Sequence, residues 1–162
     1  DNVPVYQLAV WDSTEILLGT RNGLIRYDVK EDSFSLFETR SALLDLEITA
    51  LGVHNDSLWI AGQSGIALYD SANGSWQSYT QVLKQVNARI NDIDFTKGNV
   101  WFATFNGLLK YDVNRDYWYL YTTEDGLIDN RVYRIDVDRD DLWMSTERGI
   151  SIFRWYEPDR IE

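Results

Sequence analysis

Three groups of side chains in this sequence have the types and spacing to do chemistry. In "DVDRDDLWMSTE", Asp136, Asp138 and Asp140 recur at alternate positions and Glu147 falls at the twelfth place. Hard oxygen ligands at that spacing open a calcium loop, whose sixth residue is glycine because the backbone turns sharply there. Here the sixth residue is Asp141. A polar strand end and turn explains the same residues, so no metal is assigned and Asp136, Asp138 and Asp140 stand only as a calcium candidate. His54 is the only histidine, and any Ser–His–Asp relay would have to pass through it. A solvated turn histidine is the simpler account. The 26 acidic residues allow many carboxylate pairs of the kind that hydrolyse sugars, but no pair stands apart. With no cysteine, thiolate metal sites, disulfides and cysteine nucleophiles are all removed. The expectation is a protein without a catalytic residue or cofactor.

Charge narrows the partners. A net charge of −11 disfavours phosphate backbones and anionic membrane surfaces, so neither nucleic acid nor membrane insertion is expected. No apolar run approaches the roughly 20 residues of a bilayer span. The opening "DNVPV" has neither the basic start nor the apolar stretch of a signal peptide. Aromatic residues make up 14% of the chain, which points to a folded core rather than an acidic disordered segment.

The elements that carry these side chains are repeated. "ILLGTRNGLIRYD", "LWIAGQSGIALYD", "VWFATFNGLLKYD" and "LWMSTERGISIFR" place Gly23, Gly65, Gly107 and Gly149 at intervals of 42 residues. Trp59, Trp101 and Trp143 keep the same interval, as do Tyr27, Tyr69, Tyr111 and Phe153. No insertion is apparent. Each copy reads as four short strands, a to d, with strand a in "YQLAVW", "ITALGV", "INDIDF" and "VYRIDV". Four strands in about 40 to 45 residues is the pattern of a β-propeller blade. Blades stack face to face, so a strand such as "LWIAG" is apolar on both sides, and Trp59, Trp101, Trp76 and Trp118 are expected in the wedges between blades. "TQVLKQVNARI" (80–90) is the most helix-like piece and is expected to form one turn at most. The fold class is therefore all-β, four blades at roughly 1–39, 40–81, 82–123 and 124–162 in a single propeller domain or segment.

The fourth copy departs from the pattern. Arg154 replaces the acid found at Asp28, Asp70 and Asp112, and strand d should begin near Arg160, two residues from the end of the sequence. Trp155 and Tyr156 are candidates for a substitute outer strand. A small four-bladed ring and a segment of a larger propeller both fit; unpaired edges at the two ends favour the segment, completed by the rest of a longer propeller or by another subunit.

The recurring Trp-x-x-Thr-x-x-Gly-[Leu/Ile]-x-x-[Tyr/Phe] resembles the two-component regulator propeller repeat. "YTTEDGLIDNRVYRIDVDRDDLWMSTERGISIF" (121–153) carries the fullest likeness, through the Asp-Gly-Leu junction and the following a–b hairpin. The earlier junctions, "ETRSALLDLEI" and "TQVLKQVNARI", lack Asp-Gly-Leu. The resemblance implies a periplasmic or extracellular sensor region of a membrane-bound regulator, with an oligosaccharide as ligand. WD-type and kelch repeats fit less well, since Gly-His and Trp-Asp pairs do not recur and adjacent glycines are absent, and propeller lyases or hydrolases remain an enzymatic alternative. A structural or protein-docking module is another.

For binding, positions that vary between copies on the loop face are the candidates. The b–c turns offer Arg21, Gln63, Phe105, Asn106, Glu147 and Arg148; the d–a connections offer Arg40, Lys84, Asn130 and Arg131. Aromatic platforms with forked polar groups suit sugars or peptides. Tyr119 is a further ring that the repeat does not demand, aligning with Ser35 and Gln77.

Overall fold

Strand pairing follows the repeat. The computed structural model describes residues 3–39, 47–63, 65–139 and 141–156, and these build four antiparallel sheets, each wound in chain order. The first holds β1 (Val5–Val10), β2 (Glu15–Thr20), β3 (Gly23–Asp28) and β4 (Ser33–Leu36). The second holds β5 (Ile48–His54), β6 (Ser57–Gly62), β7 (Ile66–Asp70) and β8 (Ser75–Ser78). The third holds β9 (Ile90–Thr96), β10 (Asn99–Thr104), β11 (Gly107–Asp112) and β12 (Tyr117–Tyr121). In the fourth, β13 (Val132–Asp138), β14 (Asp141–Thr146) and β15 (Gly149–Phe153) are the strands among the described residues. Four sheets of this kind are β-propeller blades, and the chain is all-β apart from short helical turns. It divides into two units, Asp1–Gln85 with the first two blades and Val86–Glu162 with the last two.

The Tyr-Asp stop of the first three copies has a clear cause. Asp28 Oδ1 accepts the backbone N–H of Lys30 and Glu31 at 2.8 and 3.0 Å, and Asp112 Oδ1 accepts those of Asn114 and Arg115, both at 3.1 Å. The carboxylate thus turns the chain from strand c into strand d. The tyrosine stacks on the first ring of strand d. Tyr27–Phe34, Tyr69–Trp76 and Tyr111–Trp118 lie 4.7, 4.8 and 4.6 Å apart with nearly the same tilt. Arg154 cannot supply those acceptors, and there the chain leaves the pattern: Trp155 and Tyr156 form a turn, not a substitute strand.

Burial explains the apolar runs. In the first unit, Leu17 and Leu24 of the first blade pack against Ile48, Leu51, Leu58 and Ile60 of the second. In the second unit, Trp101, Ala103 and Leu108 of the third blade pack against Val132, Ile135, Leu142 and Met144 of the fourth. β10 is buried along its whole length. Trp59 and Trp101 are interior, as expected, whereas Trp76 and Trp118 are only half-buried, on the c–d hairpins.

Two expectations are corrected. Thr80–Val86 is a seven-residue α-helix, α1, longer than one turn, because Val82 and Val86 lie one helical turn apart and both are buried. The four copies also contain an insertion. Val10 pairs with Ile16, but Val53 pairs with Leu58, Phe95 with Val100 and Val137 with Leu142, so the first a–b turn is one residue longer. Asp12 holds that turn by accepting the N–H of Thr14 at 2.6 Å and of Glu15 at 2.9 Å, which keeps its carboxyl below the usual range. In structural register Val5, Leu8 and Val10 therefore match Ile48, Leu51 and Val53. Each strand a carries the same bulge, at Tyr6, Thr49, Asn91 and Tyr133.

Candidate functional site

The last blade junction shows how a short sequence sets a loop. Thr122 caps a 3-10 turn at Thr123–Asp125: its hydroxyl accepts from the Glu124 N–H, and the Asp125 carboxylate accepts the Thr122 N–H at 2.8 Å. Gly126 follows at φ 97°, in the left-handed region, and drops Leu127 into the core of the second unit. That is the physical content of "TTEDGL". The chain then runs over the b–c turns. Gly107 N–H donates to the Asn130 carbonyl at 2.7 Å, and the Asn130 side chain accepts from Thr123 N–H at 2.7 Å.

Six of the expected loop residues are gathered there by short links. Arg131 pairs with Glu147 at 2.9 Å, and Arg148 with Asp129 at 3.4 Å. Phe105 and Tyr133, both substantially exposed, meet edge to face at 5.7 Å. Asn106 donates to the Val86 carbonyl at 2.9 Å. The result is two accessible rings beside a line of paired charges whose N–H groups and carboxylates can exchange partners with hydroxyls. In the first unit Gln63 donates to Glu47 at 2.8 Å, Arg21 is exposed on its b–c turn, and Lys84 is exposed on α1. Arg40 lies outside the described residues.

The acidic motif forms a hairpin. Asp136 pairs across the sheet with Trp143 and Asp138 with Asp141, with Arg139 at φ 62° in the turn. Asp140 lies outside the described residues, among which no group of three or more His, Cys, Asp or Glu is placed to hold a metal ion. His54 is exposed at the end of β5.

Two features escaped sequence reasoning. Lys110 is buried, and its ammonium sits over four rings: Tyr119 at 4.7 Å, Trp155 at 5.2 Å, Trp101 at 5.6 Å and Tyr121 at 5.8 Å. Burial pushes its amine below the usual lysine range. The available signals were Tyr119, a ring outside the repeat, and a lysine at the place of Leu68 and Ile152. The second feature is a cleft of about 620 Å³ in the first unit, lined by Arg26, Phe37, Glu38, Tyr69, Asn73 and Trp76 among others. Arg26, on its wall, holds the place in the first blade that Lys110 holds in the third.

These sheets and loops define a propeller-blade protein. No family model and no curated protein matches the sequence. Among solved structures, the chain is similar to the extracellular domain of BT3049, assigned to the hybrid two-component systems of B. thetaiotaomicron, with 19% identity and a TM-score of 0.75. It is also similar to the extracellular domain of BT4673 from the same organism, with 21% identity and a TM-score of 0.71. The alignments cover 94% and 91% of this chain but only 22% and 21% of those domains, so the chain spans about a fifth of their length. The computationally designed protein Ika4 matches over 95% of this chain and 92% of its own, at 11% identity and a TM-score of 0.67. At these identities the likeness is one of fold. No helix among the described residues is long and apolar enough to cross a membrane.

Proposed function

We propose that this chain is an extracytoplasmic ligand-binding propeller segment of a two-component-type regulator, and that its ligand is an oligosaccharide. The fold likeness to extracellular domains of such systems and the Asp-Gly-Leu junction support the sensor class. The observation that carries the ligand class is the loop surface of the second unit. There the half-exposed Phe105 and Tyr133 rings lie beside the Arg131–Glu147 and Arg148–Asp129 pairs. Ring faces take the C–H side of a pyranose, while guanidinium and carboxylate groups take its hydroxyls. Chemistry is absent from this reading: the chain binds its ligand and leaves it intact.

Isothermal titration against a panel of neutral and acidic oligosaccharides tests the proposal. Heat is expected with at least one glycan, and Phe105→Ala and Tyr133→Ala should each weaken binding about tenfold or more, the range of a lost stacking contact. Silence across the panel, or binding indifferent to both substitutions, rejects it. A second reading, a docking module that takes further blades, is favoured by uncovered apolar faces on the first and last blades.

A further inference from the structure

We propose that the cleft of the first unit, between the c–d hairpins of the first two blades, binds a small primary amine whose ammonium group rests on the Phe37, Tyr69 and Trp76 rings beside Glu38.

The cleft is open because a clamp is missing. In the first blade the Tyr27 hydroxyl donates to Asp32 at 2.8 Å, and in the third the Tyr111 hydroxyl donates to Asp116 at 2.8 Å. Each aspartate stands two residues before the first ring of strand d and takes a left-handed backbone, at φ 47° and 50°. Gly74 holds that place in the second blade, at φ 69°, and has no carboxylate to offer. The Tyr69 hydroxyl therefore has no hydrogen-bond partner among the described residues. The corner that the aspartate side chain fills in the other blades is empty, since no atom beyond the chain neighbours lies within 4 Å of where a Cβ at Gly74 would stand. Tyr69 and Gly74 both line the cleft. A half-buried phenol that has lost its acceptor is available to a ligand.

The other walls name the chemistry. Phe37 and Tyr69 meet at 5.8 Å, and Tyr69 and Trp76 at 4.8 Å. Two periods later in the sequence, Tyr121 and Phe153 meet at 4.9 Å, and there the Lys110 ammonium lies over Tyr121 and three further rings. The second unit thus supplies its own cation to this kind of ring cluster. The first unit does not. Ser35 stands in the place of Tyr119, and Arg26 is tied back along its own sheet, with Nε donating to Ser35 Oγ at 3.2 Å and Nη1 3.4 Å from Glu15. Glu15 balances the charge of Arg26, whereas Glu38 has no ion-pair partner among the described residues. The uncompensated charge on the cleft wall is therefore negative. Ring faces attract a cation, and the Glu38 carboxylate and Tyr69 oxygen can each accept an ammonium N–H, which a primary amine provides and a quaternary one lacks. About 620 Å³ is room for a small molecule. These residues are distinct from the loop surface of the second unit, and the site does not depend on that surface or its ligand.

Nuclear magnetic resonance titration of the chain with n-butylammonium, followed at the indole N–H groups of Trp11 and Trp76, tests this. A saturable shift is expected, and n-butanol, the neutral analogue, should bind about tenfold more weakly or worse. Glu38→Gln should weaken butylammonium binding about tenfold. Gly74→Asn gives Tyr69 an acceptor without adding charge, in a backbone conformation that Asp32 and Asp116 already adopt, and should weaken binding about fivefold or more with the fold intact by near-UV circular dichroism. Phe105→Ala should leave the titration unchanged, so this site and the glycan surface are judged separately. Glucosamine set against putrescine then distinguishes an amino sugar from an alkyl amine as the source, and tighter binding of either upholds the site. No saturable shift with n-butylammonium, an equal response to n-butanol, or binding untouched by both Glu38→Gln and Gly74→Asn overturns the proposal.

Discussion

Trp101 and Trp143 occupy the same place in successive copies, yet the first is sealed and the second is 42% exposed. Replacing each with alanine separates the contribution of burial from that of residue type. Trp101 packs within the core cluster of the second unit, contacts the rings of Tyr121, Phe153 and Trp155, and donates from Nε1 to Thr96 Oγ1 at 2.9 Å. A fully buried indole removes roughly 200–250 Å² from water, and with a partly collapsed cavity its truncation should cost about 3–5 kcal/mol. Trp143 loses a smaller, one-sided contact, worth about 1–2 kcal/mol. Both residues lie in one unit, so urea unfolding followed by near-UV circular dichroism reports both on the same transition. Equal costs, or a Trp101→Ala cost below about 1 kcal/mol, would refute the argument that burial between blades sets the value of the repeat tryptophan.

Lys110 gives a pH signature. Burial lowers its folded-state value below the usual 10.5, so the unfolded chain binds the extra proton between the two values, and the lysine's contribution to stability rises with pH across that window. The stability difference between wild type and Lys110→Met should move in favour of wild type as pH rises from the lowered folded-state value toward 10.5 and then level off; a flat difference refutes it. Gly107→Ala should cost more than Gly149→Ala. Both sit at positive φ, 124° and 116°, but only at Gly107 would a Cβ run into the Tyr121 carbonyl oxygen, while Gly149 faces open space. Strain alone is about 1–3 kcal/mol, and thermal melts that show equal losses remove the steric part of the account. Asp94→Ala should cost about 1–3 kcal/mol by leaving the Val137 N–H without its acceptor, and Asp94→Asn should recover most of it in the same melt.

The copy length, the strand count and the blade architecture are readable from the sequence because each rests on local rules. Turn residues recur at fixed offsets, and a strand buried on both faces loses its polar alternation. The calcium-like spacing of Asp136 and Asp138 shows the limit of that reading, since alternate positions on a strand and on a metal loop look alike. The first a–b insertion was hidden because Gly23 and everything after it keeps register, and only strand pairing reveals the shift. The helix at Thr80–Val86 was underestimated for a related reason: Val82 and Val86 gain their value from burial that a single copy does not display.

The loop candidates divide the same way. Sequence variation between copies marks Phe105, Asn106, Asn130, Arg131, Glu147 and Arg148, and packing of the Asp-Gly-Leu junction over the turns brings those six together. Lys110 among four rings was beyond local reading, because Trp101, Tyr119, Tyr121 and Trp155 come from three separate segments. Sequence alone determined that this chain is a stack of similar sheets, because pleat period and turn chemistry act over a few residues. Which apolar faces are sealed and which stand open was decided only by the tertiary structure. Leu51 and Leu8 are the same residue in the same strand position, and the difference between them is whether another blade lies on top.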